Sequence, residues 1–195
     1  MVKPSLVLAV IVAFTAAVVS GGVQAQQSPL VEISKNTTGE RAARVQASIT
    51  IDAPVEIIWM IMLDCNEALE IVPHLSECVI LRRDDETASD IRRHKVRYGA
   101  LFPTTISEFK SVYDRNKSIR FSKTGGDLKF LEGVWRFVPD INGVQVTYEA
   151  AVNIGKPVPG FLVRRAVRKD TREILTRLQA RAETKASGAS PPDVE

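Results

Sequence analysis

The chain has 195 residues, of which 45% are hydrophobic and 25% are charged, and its formal net charge is +3. This length suits one domain with a core of ordinary size, and so small a charge gives no argument for a nucleic-acid partner. The sequence also lacks a phosphate-binding glycine loop, a nucleophile elbow and histidine pairs at metal-ligand spacing. We therefore identify no catalytic residue, no metal ligand and no cofactor site.

The N-terminus has the pattern of an export signal. Lys3 gives a positively charged start, residues 6–19 are almost unbroken apolar sequence, and Val23 and Ala25 are small residues before a cleavage point. We predict a signal peptide over residues 1–25, cleaved after Ala25, and a periplasmic location. The alternative is an uncleaved membrane anchor, because the apolar run with its flanks is just long enough to cross a bilayer.

The next two segments are a linker and the start of the folded part. Residues 26–42 are polar and lack periodicity, so we predict a disordered linker. Residues 44–51 alternate between apolar and polar side chains, as in a half-buried strand. The segment after Pro54 has helical composition over residues 55–64, and a second short helix follows before Pro73.

Six further strands are predicted at residues 77–83, 90–98, 104–113, 118–123, 129–138 and 144–153. Turns rich in Asp, Asn and Gly separate most of them. Strands joined by such short connections form an antiparallel meander. Gly133 stands inside one of these strands, which indicates a bulge or a close approach by another group.

Residues 161–183 contain no proline or glycine and predict a long amphipathic helix. Val163, Val167 and Leu178 recur at helical spacing, and the basic residues fall largely on the opposite side. Such a helix is about 30 Å long and needs a broad apolar surface, which only the strands can supply. We predict a curved sheet around this helix with a hollow between them, followed by a disordered tail at residues 185–195.

The two cysteines, Cys65 and Cys78, close a loop of about fourteen residues. An even number of cysteines in an exported protein predicts a disulfide. The alternative is a pair of buried free thiols.

Several segments occur in a familiar order: ITIDAPVEIIWMIMLD, IVPHLSECVILRR, GGDLKFLEGVWRFVP, VTYEAAV and PGFLVRR. Together they resemble the START-like (SRPBCC) superfamily, and within it the coenzyme Q-binding START-domain or polyketide cyclase/dehydrase family. The resemblance implies an α+β helix-grip fold over residues 43–184. In that fold about seven antiparallel strands curve around the long C-terminal helix, and two short helices follow the first strand. It also implies a cavity for a lipid, sterol, isoprenoid quinone or polyketide.

Six residues are assigned to the wall of this cavity: Trp135, Phe137, Tyr148, Phe102, Val163 and Val167. Trp135 and Phe137 share one face of a strand, and the alternative for both is packing in the core. The Tyr148 hydroxyl either orients a ligand or bonds to the main chain. Phe102 lies in an apolar break between strands, where it either borders the cavity and a membrane or is tucked onto the core.

Basic residues crowd two neighbouring strands: Arg82, Arg83, Arg92, Arg93, Lys95 and Arg97. They either contact an anionic headgroup or membrane surface, or form a solvated outer face of the sheet. The favoured function is binding or carriage of an apolar small molecule or lipid, with a quinone-like molecule as one candidate. The alternatives are an interaction protein that uses its surface and a cyclase/aromatase-type enzyme.

Overall fold

The computed structural model describes residues 28–35, 42–98, 104–155 and 158–188. These residues form one antiparallel sheet and three helices. The strands are β1 (Leu30–Lys35), β2 (Ala42–Ile51), β3 (Leu75–Asp84), β4 (Ser89–Val96), β5 (Thr105–Asp114), β6 (Ser118–Gly126), β7 (Phe130–Asp140) and β8 (Gly143–Asn153). The helices are α1 (Val55–Leu63), α2 (Cys65–Ile71) and α3 (Gly160–Ala186).

The sheet has the order β1-β2-β8-β7-β6-β5-β4-β3, and its curved inner face receives the helices. Each strand from β3 to β8 pairs with the next strand along the chain, and β2 closes against β8. The long helix α3 packs on β1, β2, α1 and α2. This is the helix-grip fold that the resemblance implied.

The sheet has eight strands rather than about seven, because the segment predicted as a linker contains β1. Prediction of a linker over residues 26–42 was wrong for this part. β1 is an edge strand that pairs along its whole length with β2, from Leu30 opposite Ser48 to Lys35 opposite Ala43. Main-chain hydrogen bonds to β2 fix it there, and Val31 and Ile33 alternate with Glu32 and Ser34, a pattern too short to distinguish a strand from a polar linker.

The last helix continues two residues beyond the predicted start of the tail. Lys185 stays helical because its ammonium group lies 3.0 Å from the Glu67 carboxylate on α2. Burial alone would raise the pKa of Glu67, but hydrogen bonds from Arg181 and Lys185 outweigh it and hold that pKa below its usual value. The predicted signal peptide and residues 189–195 lie outside the described residues. None of the helices in the described ranges is long and apolar enough to cross a membrane.

Half of the inner face is a packed core at the end of the sheet next to α1. It joins β2, β7 and β8 to α1 and to the C-terminal half of α3, through side chains that include Ile49, Ile51, Ile58, Trp59, Phe137, Val144, Val146, Leu175, Leu178 and Ala182. Trp59 meets Phe137 edge-on, with ring centroids 5.9 Å apart. The α3 side chains of this core lie in the C-terminal half of the helix, whereas Val163 and Thr171 are buried in its N-terminal half.

The short helix α2 is fastened on two sides. The predicted disulfide is present and joins Cys65, the first residue of α2, to Cys78 on β3. On the other side, the Arg177 guanidinium of α3 donates to the Glu70 carbonyl oxygen at 2.9 Å. These links hold α2 between one edge of the sheet and the C-terminal half of α3.

Candidate ligand-binding site

An aromatic row crosses the inner face of the sheet from β4 to β8. It consists of His94 on β4, Phe109 on β5, Phe121 on β6, Trp135 on β7 and Tyr148 on β8. Ring centroids are 4.9 Å apart between His94 and Phe109, 6.1 Å between Phe109 and Phe121, 6.2 Å between Phe121 and Tyr148, and 4.1 Å between Trp135 and Tyr148. The row therefore forms a continuous aromatic surface beside the packed core.

Strand register explains why these rings share one face. Residues that lie opposite each other in antiparallel strands project to the same side of the sheet. Phe121 lies opposite Gly133 on β7, and Gly133 lies opposite Ala150 on β8. A Cβ at residue 133 would come within 2.4 Å of Phe121 Cζ. The close approach predicted at Gly133 is thus confirmed, and it lets Phe121 stack towards Tyr148 across the intervening strand.

Tyr148 lies deep in the protein, but its side chain is only half-buried. Desolvation by burial raises the pKa of its hydroxyl well above the usual value, while the side chain keeps part of its surface accessible. A deep but uncovered side chain is the arrangement expected of a residue that borders an internal space.

His94 is the second polar member of the aromatic row. Its Nε2 atom is buried and has no hydrogen-bond partner among the described residues. Burial, together with the positive charge of Arg92, lowers the pKa of His94 from 6.5 to about 4. The imidazole is therefore neutral at pH 7, with an unused hydrogen-bonding atom directed at an apolar surface.

Next to His94, a buried ion pair occupies the inner face between the aromatic row and α1. Asp90 and Arg92 are only 2% and 4% exposed, and Arg92 Nε donates to Asp90 Oδ2 at 2.9 Å. Arg92 Nη2 also donates to the Leu63 carbonyl oxygen and to the Tyr113 hydroxyl, at 2.9 and 3.0 Å. This guanidinium holds the C-terminal end of α1, and at 4% exposure Arg92 is closed off from solvent.

Arg92 therefore does not lie on the solvated outer face, which was one of the two alternatives predicted for the basic residues of these strands. It points inward because the neighbouring Asp90 and the helix-end carbonyl groups compensate its charge. Arg93 and Lys95, at alternate positions on β4, do lie on the outer side. There they pair with Glu108 and Glu77, at 2.8 and 3.9 Å, with half-exposed side chains.

The residues predicted for the cavity wall fall into three groups. Trp135 and Phe137 are both buried, at 8% and 3% exposed, and both belong to the packed core, where Trp135 also stacks on the half-buried Tyr148. Val163 is buried on α3, and Val167 on the next turn is half-buried. Phe102 lies outside the described residues. That these side chains touch a ligand remains a prediction.

His94, Phe109 and Phe121 were not among the residues predicted for the site from the sequence. The signal was present for Phe121, which alternates with polar residues on β6. His94 gave no comparable signal, because the preceding inward positions of β4 are occupied by Asp90 and Arg92 rather than by apolar residues.

The outer face of the sheet also carries a feature that binding could use. An open groove of about 440 Å³ there is lined by charged side chains, among them Arg44, Lys110, Arg120, Glu132 and Glu149. Arg136 and Glu149 form a 2.8 Å ion pair nearby. This groove is exposed, mixed in charge and separate from the inner face, so it does not correspond to the predicted cavity.

Comparison with known proteins agrees with this architecture. No curated protein sequence matches the chain. The sequence profile described as "Polyketide cyclase / dehydrase and lipid transport" matches residues 42–183. The chain belongs to this polyketide cyclase/dehydrase and lipid transport family. The match begins at the first residue of β2 and ends within the last turn of α3. It does not single out the coenzyme Q-binding branch.

Solved structures with the fold of the polyketide cyclase/dehydrase and lipid transport family come from several bacteria. A STAR-related lipid transfer protein from Xanthomonas axonopodis is 17% identical, with a TM-score of 0.65 over 78% of this chain and 92% of that one. A START superfamily protein from Mycobacterium smegmatis is 21% identical, with a TM-score of 0.63 over 73% and 98%. The Zhui aromatase/cyclase from Streptomyces sp. R1128 is 16% identical, with a TM-score of 0.59 over 76% and 99%. At these identities the likeness establishes the fold.

Proposed function

We propose that this protein is an exported carrier that holds an apolar small molecule or lipid between the inner face of the sheet and α3. The observation that carries the proposal is the aromatic row. His94 lies deep enough for desolvation to lower its pKa strongly, yet its Nε2 has no partner in the described structure, and Tyr148 at the other end of the row is half-buried. An enclosed, mostly apolar surface with a few unpaired polar atoms is typical of a small-molecule site.

The family supports the ligand-binding part of this proposal, and the export signal supports the part that concerns export. The family description names lipid transport, and one protein of the same fold is named as a lipid transfer protein. The N-terminal pattern of a charged start, an apolar run and a small-residue cleavage site supports passage to the periplasm. A quinone-like molecule is one candidate ligand, since isoprenoid quinones combine an apolar body with small polar groups.

The exposed start of α3 supports a second part of the proposal, which is contact with a membrane surface during loading or release. Phe161 and Leu162 are 63% and 45% exposed in the first turn of the helix. Arg165, Arg168 and Lys169 are exposed in the next two turns. Exposed apolar residues beside basic ones suit insertion at the interface of an anionic membrane.

The experiment is recovery of the ligand from protein purified out of the periplasm. Native mass spectrometry should detect a complex with about one equivalent of a small molecule, and organic extraction should release an apolar compound. The mass of the polypeptide should match that of a chain that begins at Gln26. Protein that carries no small molecule, and that also fails to bind the neutral fluorescent probe N-phenyl-1-naphthylamine, would contradict the carrier function. An unprocessed N-terminus would contradict signal cleavage only.

A cyclase-type activity is the second candidate, and the unpaired Nε2 atom of His94 favours it because cyclisation needs proton donors and acceptors inside the cavity. A poly-β-carbonyl compound bound by the protein separates the two functions. Conversion to an aromatic product, abolished by His94→Phe, would identify an enzyme. Recovery of the compound unchanged would leave the carrier function.

A further inference from the structure

We propose that the molecule held in this site carries an alcohol or phenol hydroxyl that forms a hydrogen bond with Nε2 of His94. This inference rests on the carrier function proposed above and specifies the chemistry of the ligand. The structure assigns the hydroxyl to the β4 end of the aromatic row.

The starting point is the unpaired state of a buried atom. His94 Nε2 has no partner in the described structure, and the nearest ring is the edge of Phe109, which offers no hydrogen-bonding atom. The residues opposite His94 in the sheet are Cys78, already in a disulfide, and Ser107. A buried polar atom without a partner is destabilising, so native proteins rarely leave one unless a ligand or water completes it.

The chemistry of neutral imidazole selects a hydroxyl as the partner. Nε2 is either a bare acceptor or an N–H donor, depending on the tautomer. A hydroxyl can donate to a bare Nε2 and accept from an Nε2–H group, so it fits both tautomers. A carbonyl group can only accept a hydrogen bond, so it fits only the tautomer with a proton on Nε2.

The charges next to His94 favour a ligand group that is uncharged. Arg92 is the cation next to His94 on the inner face, and its guanidinium is already bound to Asp90, Tyr113 and the end of α1. An anionic headgroup placed at His94 would lose its hydration without gaining the Arg92 charge as a free partner. An uncharged alcohol or phenol group loses far less hydration free energy when it is buried there.

The aromatic row also suggests the shape of the rest of the molecule. From His94 on β4 the rings continue over Phe109 and Phe121 to Tyr148 on β8, which is four strands away. The successive ring distances along this path add up to about 17 Å, which is the most that the row can extend across the sheet. Flat rings or unsaturated chains lying on such a surface gain offset-stacked and edge contacts. We therefore infer an elongated apolar body with its hydroxyl at one end.

The test uses two competitors that differ only in the group at issue. 2-Naphthol carries a hydroxyl where 2-methylnaphthalene carries a methyl group of similar size. Each competitor displaces N-phenyl-1-naphthylamine from the wild-type protein and from His94→Phe, which keeps a flat ring but removes both nitrogen atoms. We expect the substitution to weaken 2-naphthol roughly fivefold, the effect of one net hydrogen bond, and to leave 2-methylnaphthalene within about twofold.

Equal weakening of both competitors, or of neither, would overturn the inference. The failure of the wild-type protein to bind N-phenyl-1-naphthylamine would instead overturn the proposed carrier function. A second measurement covers the case in which His94→Phe does not fold. In wild-type protein labelled with ¹⁵N-histidine, 2-naphthol should shift the Nε2 resonance of His94, whereas 2-methylnaphthalene should not. An unchanged resonance at saturating 2-naphthol would also overturn the inference.

Discussion

The ring of Phe121 lies directly over Gly133, so that a Cβ on residue 133 would sit 2.4 Å from Phe121 Cζ and 2.5 Å from the Glu149 carbonyl oxygen. The absence of a side chain on one strand thereby allows a ring from the neighbouring strand to reach Tyr148. The stacking of Phe121 and Tyr148, with centroids 6.2 Å apart, depends on this gap.

Gly133→Ala should therefore destabilise the protein and displace Phe121. Because one of the contacts is with backbone, the strand itself must shift, and we expect a loss of about 1–3 kcal/mol in the free energy of unfolding. Urea unfolding followed by far-ultraviolet circular dichroism measures it. Glu132→Ala, at the exposed neighbouring position on β7, is the matched control and should change stability by less than about 0.5 kcal/mol. Equal losses in both variants would contradict the packing described for Gly133.

Adjacent arginines on β4 provide a test of the buried ion pair. Arg92→Leu leaves the Asp90 carboxylate buried without its partner, so we expect a loss of about 3–5 kcal/mol. Arg93→Leu breaks a half-exposed pair with Glu108 and should cost less than about 1 kcal/mol. Urea unfolding of the two variants under identical conditions gives the comparison.

A double variant separates loss of the charge pair from loss of packing. In Asp90→Leu/Arg92→Leu neither charge remains, and part of the stability lost in Arg92→Leu should return. If Arg93→Leu were as damaging as Arg92→Leu, the inward orientation of Arg92 would be wrong.

Burial of neutral His94 predicts a particular dependence of stability on pH. Its pKa is about 4 in the folded protein and near 6.5 when unfolded, so between these values the unfolded chain binds more protons. Stability should therefore fall as the pH decreases from about 6.5 to 4, by at most about 3 kcal/mol from this residue. His94→Phe should lack this contribution.

The measurement is the difference between wild-type and His94→Phe unfolding free energies at pH 7, 5.5 and 4.5. The difference isolates His94 because all other titrating groups are common to both proteins. Wild-type protein should lose stability relative to the variant at each step down in pH. A difference that stays constant across this range would show that His94 is not held neutral by burial.

The disulfide between Cys65 and Cys78 should contribute stability by restricting the unfolded chain. It closes a loop with a sequence separation of 13 residues, for which loss of loop entropy predicts about 3 kcal/mol. Cys65→Ala/Cys78→Ala should accordingly melt at a lower temperature than the oxidised wild type. Addition of dithiothreitol should lower the wild-type melting temperature and leave the variant unchanged. A wild-type melt insensitive to complete reduction would contradict this role.

Much of the fold could be predicted from periodicity. The strand predicted at residues 144–153 is β8, Gly143–Asn153, because its alternation is strict and one of its faces lies on the core. The helix predicted at residues 161–183 is α3, since no proline or glycine interrupts its apolar spacing. By contrast, β1 was predicted as a linker, because the alternation of Val31 and Ile33 with Glu32 and Ser34 covers only four residues and main-chain pairing with β2 completes the strand.

The site was less predictable, because it depends on which face of each strand turns inward. On β4 the inward positions hold Asp90 and Arg92, so hydrophobic alternation gives the wrong orientation or none at all. Their burial becomes favourable only through the end of α1, a contact across about thirty residues of sequence. A register shift between Glu108 and Phe109 likewise hides the alignment of Phe109 with its neighbours. That Trp135 and Tyr148 share one face of the sheet could be predicted, because β7 and β8 form a simple hairpin.

The most direct test of the account is to fill the space beside the aromatic row. Leu131 on β7 faces Val152 on the inner side of the sheet, and both side chains are half-buried. Leu131→Trp places a large ring there, whereas Val138→Trp places the same ring on the exposed outer face of β7, where Val138 is 51% exposed. Titration with N-phenyl-1-naphthylamine should show affinity reduced roughly tenfold or more in Leu131→Trp and unchanged in Val138→Trp, because only the first occupies the ligand's volume. Unchanged binding in a folded Leu131→Trp protein would contradict a ligand site between the sheet and α3.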